Sequence, residues 1–221
     1  MSTPYINIHT HSYQENTTEV FSLPNIIIAK DYLIPQPCSL GIHPWYIHFN
    51  YKEQEDILYT YAKRSNVWAI GECGLDKLTD SDFSLQKEIF RIQIKVANQL
   101  KKPLIIHCVR AYQECFRILQ EERVQVPVIF HGFDKNIALA YQIYRQGYYI
   151  SLGSALLKGQ KDDLIIDFPW NKIFLETDDK SINIVDIYMY FCRVRKTELP
   201  LLKEQLYQNF IHVFNYPLKE E

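Results

Sequence analysis

Eight short apolar runs, each bounded by turn residues, alternate with longer helix-patterned segments, and this alternation limits the fold more than any other feature. The runs fall at residues 5–9, 25–29, 39–43, 67–72, 103–107, 127–131, 148–152 and 173–176. Several are rich in Ile and Val, as strands covered on both faces must be. Between them, Leu85, Ile89, Ile92, Val96 and Leu100 are spaced to form one apolar helical stripe. Asp134 is placed to cap a helix that carries Ile137, Tyr141 and Tyr144 and stops at Gly147. Leu202, Leu206, Phe210 and Phe214 give a closing helix. Strands alternating with helices imply a parallel sheet, either a closed (β/α)8 barrel or an open doubly wound one. The expectation is an α/β fold, a compact, irregular (β/α)8 TIM barrel forming one domain over residues 1–221. Some helices must be short or missing, and residues 30–36 leave no room for a full one.

Composition narrows the class. The chain is 47% hydrophobic and 23% charged, so it can build a core rather than stay disordered. Lys and Arg number 24 against 26 acidic residues, for a net charge of -2. That balance excludes a broad basic nucleic-acid sleeve but not a local basic rim. No apolar run reaches the roughly 18 residues of a membrane span. Met1-Ser2-Thr3-Pro4 opens no signal-peptide pattern. The five cysteines, Cys38, Cys73, Cys108, Cys115 and Cys192, form no C-x-x-C pair and read as reduced, mostly buried thiols. These features point to a cytoplasmic protein, monomeric by default and with no obligate protein partner. The sequon Asn16-Thr17-Thr18 is then a chance match.

The strand ends carry the chemistry. The first run ends in His9-Thr10-His11, where residues two apart share a face and both imidazoles can converge. The third ends in Gly41-Ile42-His43-Pro44 and the fourth in Gly71-Glu72-Cys73-Gly74-Leu75-Asp76. The fifth ends in His107, the sixth in His131 and the eighth in Glu176-Thr177-Asp178. Taken singly, each residue is as well read as a hydrogen-bonded strand end or a helix cap. As a set they form an imidazole and carboxylate cluster at carboxyl strand ends, where barrel enzymes place their sites. Such donors suit Zn, Mn, Fe or Ni better than an all-oxygen ion. Cys108 follows His107 directly, so it should turn to the opposite face of the strand. There is no P-loop, Rossmann glycine pattern, nucleophile elbow or zinc-finger spacing.

In these motifs, with Ile105-Ile106-His107-Cys108, Phe130-His131-Gly132-Phe133 and Leu175-Glu176-Thr177-Asp178, the chain resembles the TatD family of metal-dependent hydrolases. The resemblance runs from about residue 5 to residue 214, and Gln86 and Asn209-Phe210 fit it too. It implies two divalent ions (Mg²⁺, Mn²⁺ or Zn²⁺), with His9, His11 and Asp178 on the first, Glu72 bridging, and His107 and His131 completing the second. It implies deoxyribonuclease chemistry of the 3′–5′ exonuclease type, with DNA single strands or 3′ ends as substrate. A metal-activated water would attack in line, with Asp178 as its base and Glu72 as the second catalytic group. His43 would contact substrate phosphate. Arg110 and Lys77 follow strands five and four closely enough to reach phosphate, and a solvated surface charge is the other reading of each.

Two departures bear on substrate. After His107 the chain reads Cys108-Val109-Arg110-Ala111, displacing the family's usual arginine by one and omitting its acidic neighbour. After Asp178 the usual proline-containing loop with an Arg-Asn pair is missing. Two alternatives therefore accompany the nuclease reading: hydrolysis of an amide, lactone or small phosphoester, and a non-catalytic binding barrel.

Overall fold

A computed structural model describes residues 3–13, 16–32 and 36–215. Its strands are β1 (Tyr5–Thr10), β2 (Val20–Ile27), β3 (Cys38–Gly41), β4 (Val67–Asp76), β5 (Leu104–Val109), β6 (Val128–Phe130), β7 (Tyr149–Leu152) and β8 (Ile173–Leu175). Its helices are α1 (Lys52–Tyr61), α2 (Phe83–Leu100), α3 (Tyr112–Glu121), α4 (Ile137–Arg145), α5 (Asp162–Asp167), α6 (Ile184–Arg195) and α7 (Leu199–Phe214). Each expected apolar run contributes to a strand. The helix-free links are the early ones, before β2 and β3, among the described residues. Of the segment 30–36, residues 33–35 lie outside those described.

The chain divides into two compact units, residues 25–130 and residues 1–24 with 131–221. In the first, the second half of β2 pairs with β3, β3 with β4, β4 with β5 and β5 with β6, all parallel. Glycines let β4 approach its neighbours. A Cβ on Gly71 would lie 2.6 Å from the Ile105 carbonyl oxygen, and Gly74 adopts φ +135° against His107. This contact sets Glu72 beside the histidine of β5.

Helix α2 covers that sheet, with the Asp82 carboxylate accepting from Leu85 N at 2.7 Å as its N-cap. The buried face differs from the expected stripe. It runs through Gln86, Ile89, Phe90, Gln93, Ile94, Val96 and Ala97, while Leu85, Ile92 and Leu100 are half-buried. The reason is that two amides replace missing ladder bonds. Gln93 Nε2 donates to Ile42 O at 3.0 Å and its Oε1 accepts from Ile42 N at 2.8 Å. One pair of turns earlier on the same face, Gln86 makes the same paired contact with Asp76 N and O. Hydrophobic periodicity cannot register glutamines that satisfy backbone groups at strand ends.

In the second unit, β7 pairs with β8 and β1 with β2, all parallel. β1 meets the chain after β8 through the bridge Thr10↔Asp178. Helix α4 starts at Ile137 under a cap from Asn136, whose side chain accepts from Leu139 N at 3.0 Å. Asn136 therefore does what Asp134 was expected to do, because it sits one residue before the first helical position. The closing helix buries Leu202, Leu206, Phe210 and Phe214 as expected. Asn209 Nδ2 ties it to Trp170 O and Ile173 O, each at 2.8 Å.

Gln93→Leu keeps the volume but strands the N–H and C=O of Ile42 in the interior. Each buried backbone group left without a partner costs about 1–3 kcal/mol. Urea unfolding should show a loss of about 2–4 kcal/mol. An unchanged midpoint would show that these amides do not hold β3.

Candidate metal centre

In the unit of residues 25–130, His43, Glu72 and His107 bring one nitrogen or oxygen each to within 4.8 Å of one another. Glu72 Oε1 is 2.7 Å from His107 Nδ1 and 3.1 Å from His43 Nε2. The Trp45 backbone N–H donates to His43 Nδ1 at 3.0 Å, so that nitrogen carries a lone pair. In the neutral ring the proton then sits on Nε2 and is donated to Glu72. His43 thus orients the Glu72 carboxylate rather than offering a free lone pair to an ion.

Asp76, four residues along β4 from Glu72 and on the same face, completes this cluster. Its Oδ2 lies 3.2 Å from His107 Nε2 and accepts from Trp45 Nε1 at 2.6 Å, while Oδ1 accepts from Leu78 N at 2.7 Å. Burial pushes the Asp76 carboxyl up, but hydrogen bonds from His107, Trp45 and Leu78 outweigh it and hold the group down at about 2. Sequence reasoning gives neither Asp76 nor Trp45 a role in this cluster. The spacing of four from Glu72 was the signal for Asp76, and nothing in the sequence marked Trp45.

In the other unit, His9, His131 and Asp178 likewise place ligand atoms within 4.8 Å of one another. Asp178 Oδ1 is 3.6 Å from His9 Nε2 and 3.5 Å from His11 Nε2. The His9 ring centroid lies 5.1 Å from that of His11 and 4.3 Å from that of His131. Backbone bonds fix this geometry: His11 N donates to Asp178 O at 3.0 Å and Asp178 N donates to His9 O at 3.1 Å. Asp178 takes φ 54°, a left-handed conformation costly for a non-glycine residue and common at functional sites. Next to it, Thr177 N donates to Asn7 Oδ1 at 3.0 Å and Asn7 Nδ2 donates to Thr177 Oγ1 at 2.9 Å.

Glu176 is fully buried and was not assigned a role from the sequence. Its Oε1 accepts from Gly132 N at 2.8 Å and lies 3.5 Å from His131 Nδ1, while Oε2 is bonded by the Ser151 hydroxyl. Glu176 therefore lies against the His131 ring from inside the sheet, whereas the Asp178 side chain is half-buried.

The remaining expected residues fall elsewhere. Arg110 is exposed at φ 54° just beyond β5. Lys77 is exposed, paired with the Glu114 carboxylate, and its ammonium lies 5.3 Å from the Phe83 ring centroid. Cys108 turns away as strand parity requires, with its sulfur 3.5 Å from that of Cys115 against α3. All five cysteines are unbridged and buried.

The donor chemistry fits a divalent cation. Ions bonded at about 2.1 Å to nitrogen and oxygen need ligand atoms no more than about twice that apart. Both clusters approach that closure. Imidazole and carboxylate donors on strand ends of a parallel α/β sheet are the donor set of a metal-dependent enzyme.

The relatives narrow this further. The family described as TatD related DNase matches residues 26–215. An "Uncharacterized metal-dependent hydrolase" of Buchnera aphidicola is 31% identical over 197 residues, 81% of this chain and 74% of the relative. A "Putative deoxyribonuclease TATDN1 homolog" of Enterocytozoon bieneusi is 30% identical, over 72% of this chain and 58% of its own length. The crystal structure of the Escherichia coli TatD homologue YjjV superposes with a TM-score of 0.81, at 20% identity, over 98% of this chain and all of its own. A TatD family hydrolase from Entamoeba histolytica superposes at 0.79, with 16% identity, over 97% and 99%. The chain belongs to the TatD family of metal-dependent hydrolases. Its fold is the expected irregular (β/α)8 α/β fold of those structures.

Asn7→Ala removes both side-chain bonds to Thr177 and frees the residue next to Asp178. Loss of two buried hydrogen bonds should lower unfolding free energy by about 1–3 kcal/mol in a urea titration. Hydrolytic turnover of the same variant should fall more than its folded fraction does. Equal losses would show that Asn7 serves folding alone.

Proposed function

We propose that this chain is a divalent-metal-dependent deoxyribonuclease that hydrolyses phosphodiester bonds from the 3′ end of single-stranded DNA. The observation that carries the reading is the pair of imidazole–carboxylate clusters on strand ends in a TatD family chain. The deoxyribonuclease names of relatives support the substrate, and a reduced cytoplasmic setting accords with five unbridged cysteines. Among the described residues no helix is long and apolar enough to cross a membrane.

In this reading His9, His11 and Asp178 would hold one ion, and Glu72 and His107 a second; His131, expected on the second, is placed on the first because it gathers with His9 and Asp178. Bound divalent ions lower the pKa of water and neutralise charge that builds on a phosphoryl group. Asp178 accepts the water's proton, since its carboxylate is about a third exposed while its backbone is clamped on both sides. Glu72, held by His43 and His107, keeps one orientation and needs no reorganisation during reaction. Asp76 holds the ring of His107, as outer carboxylates commonly do for ligand histidines, and Glu176 lies beside that of His131. Arg110 is the exposed cation that can reach a substrate phosphate, whereas Lys77 must first leave Glu114.

End-labelled single-stranded DNA with Mg²⁺ or Mn²⁺ should ladder from its 3′ end. Asp178→Asn should slow this at least a hundredfold, the usual scale for a positioned proton acceptor, and chelator should abolish it. Absence of laddering together with turnover of a small phosphoester or lactone would reassign the substrate.

Calorimetric titration with Mn²⁺ should show binding that His9→Ala and His107→Ala each weaken at least tenfold. Loss of an outer partner alone brings about that much. Undiminished affinity in both variants would remove the assigned ligands.

A further inference from the structure

We propose that Trp45 is a stacking platform for a nucleobase of the substrate, a reading that rests on the nuclease function above and names how its base is held. Trp45 lies in the short 3-10 turn Pro44–Tyr46 after His43, and 56% of it is exposed. Trp68 and Trp170 are at least half-buried, so Trp45 is the one tryptophan that presents its ring to solvent.

The ring is held rather than loose. Its Nε1 donates to Asp76 Oδ2 at 2.6 Å, and it meets the His43 and His107 rings at 77° with centroids 5.0 and 5.7 Å away. A tryptophan fixed in this way loses little conformational freedom when a flat partner lands on it. It also stands directly beside side chains assigned to the reaction, so a bound base would lie next to the scissile group.

The surroundings select the kind of partner. Trp45, Asp76, Leu78, Thr79, Asp80 and Val109 line a cavity of 430 Å³, within the usual range of small-ligand sites. Leu78 is 61% exposed there and adds apolar surface beside the indole. The charges in this lining are the carboxylates of Asp76 and Asp80. Asp76 is buried and taken up by Trp45, His107 and Leu78, so the exposed Asp80 is the carboxylate that can accept from ring or exocyclic N–H groups and repel a phosphate. An aromatic face, an apolar neighbour and an acidic acceptor together fit a base, and they disfavour the bare sugar phosphate. Stacking of this sort is tolerant of sequence because every base offers a π-face.

The test uses the intact protein with Mn²⁺ and compares deoxyadenosine monophosphate with deoxyribose 5-phosphate, which share the phosphate and differ in the base. The nucleotide should quench tryptophan emission saturably and the sugar phosphate should not. Trp45→Phe should abolish the quench yet hold the nucleotide within about threefold of the parent affinity by calorimetry, because the aromatic face remains. Trp45→Ala should weaken the nucleotide about tenfold, the scale of losing one stacking partner. Persistence of the quench in Trp45→Phe, equal affinity for the two ligands, or unchanged affinity in Trp45→Ala would each overturn the platform. Base-dependent binding without any DNA cleavage would uphold the platform while removing the nuclease reading. Should Trp45→Ala fail to fold, the Trp45→Phe quench decides the matter alone.

Discussion

A carboxylate held inside a sheet is costly unless hydrogen bonds or cations replace its water, and this constraint organises the rest of the molecule. Glu72, Asp76 and Glu176 are all almost completely buried. Each meets a histidine of the site, and each draws further donors from nearby. Asp76 takes an indole N–H and a backbone N–H, and Glu176 takes a backbone N–H and a hydroxyl. A divalent cation bound among them would be the largest local charge such groups could face.

Support for these carboxylates comes from unexpected residues. The amides of Gln86 and Gln93 secure the ends of β4 and β3, so Asp76 and the residue before His43 cannot drift. Asn7 does the equivalent work for Thr177, next to Asp178. Buried amides suit this task because each presents one donor and one acceptor side by side, matching a peptide unit. A centre built to stabilise developing charge depends on such fixed geometry, since misplacement by about 1 Å is costly.

The departures of this chain from its family's pattern lie beyond the strands. Arg110 stands in a left-handed backbone position outside β5, and the segment after Asp178 passes into α6 within a few residues. The strand-borne ligand candidates keep their residue types despite both changes. This separation matches the way parallel α/β enzymes vary substrate through loops while the chemistry stays on strand ends.

Strand and helix alternation and the outward turn of Cys108 were legible from the sequence, because period and parity follow from local backbone geometry. Glu72 and His107 meet at 2.7 Å, whereas His131, expected to complete the second ion's set, gathers with His9 and Asp178. The roles of Gln86, Gln93, Asn7 and Glu176 were not legible. They depend on which distant backbone group each side chain reaches, and no local pattern encodes that. The same holds for His43. Only the contact from the Trp45 amide decides which of its nitrogens bears the proton, and hence that it steadies Glu72. Residue type and period thus determined the elements and the available chemistry, and three-dimensional packing alone decided which groups are held in place and toward what.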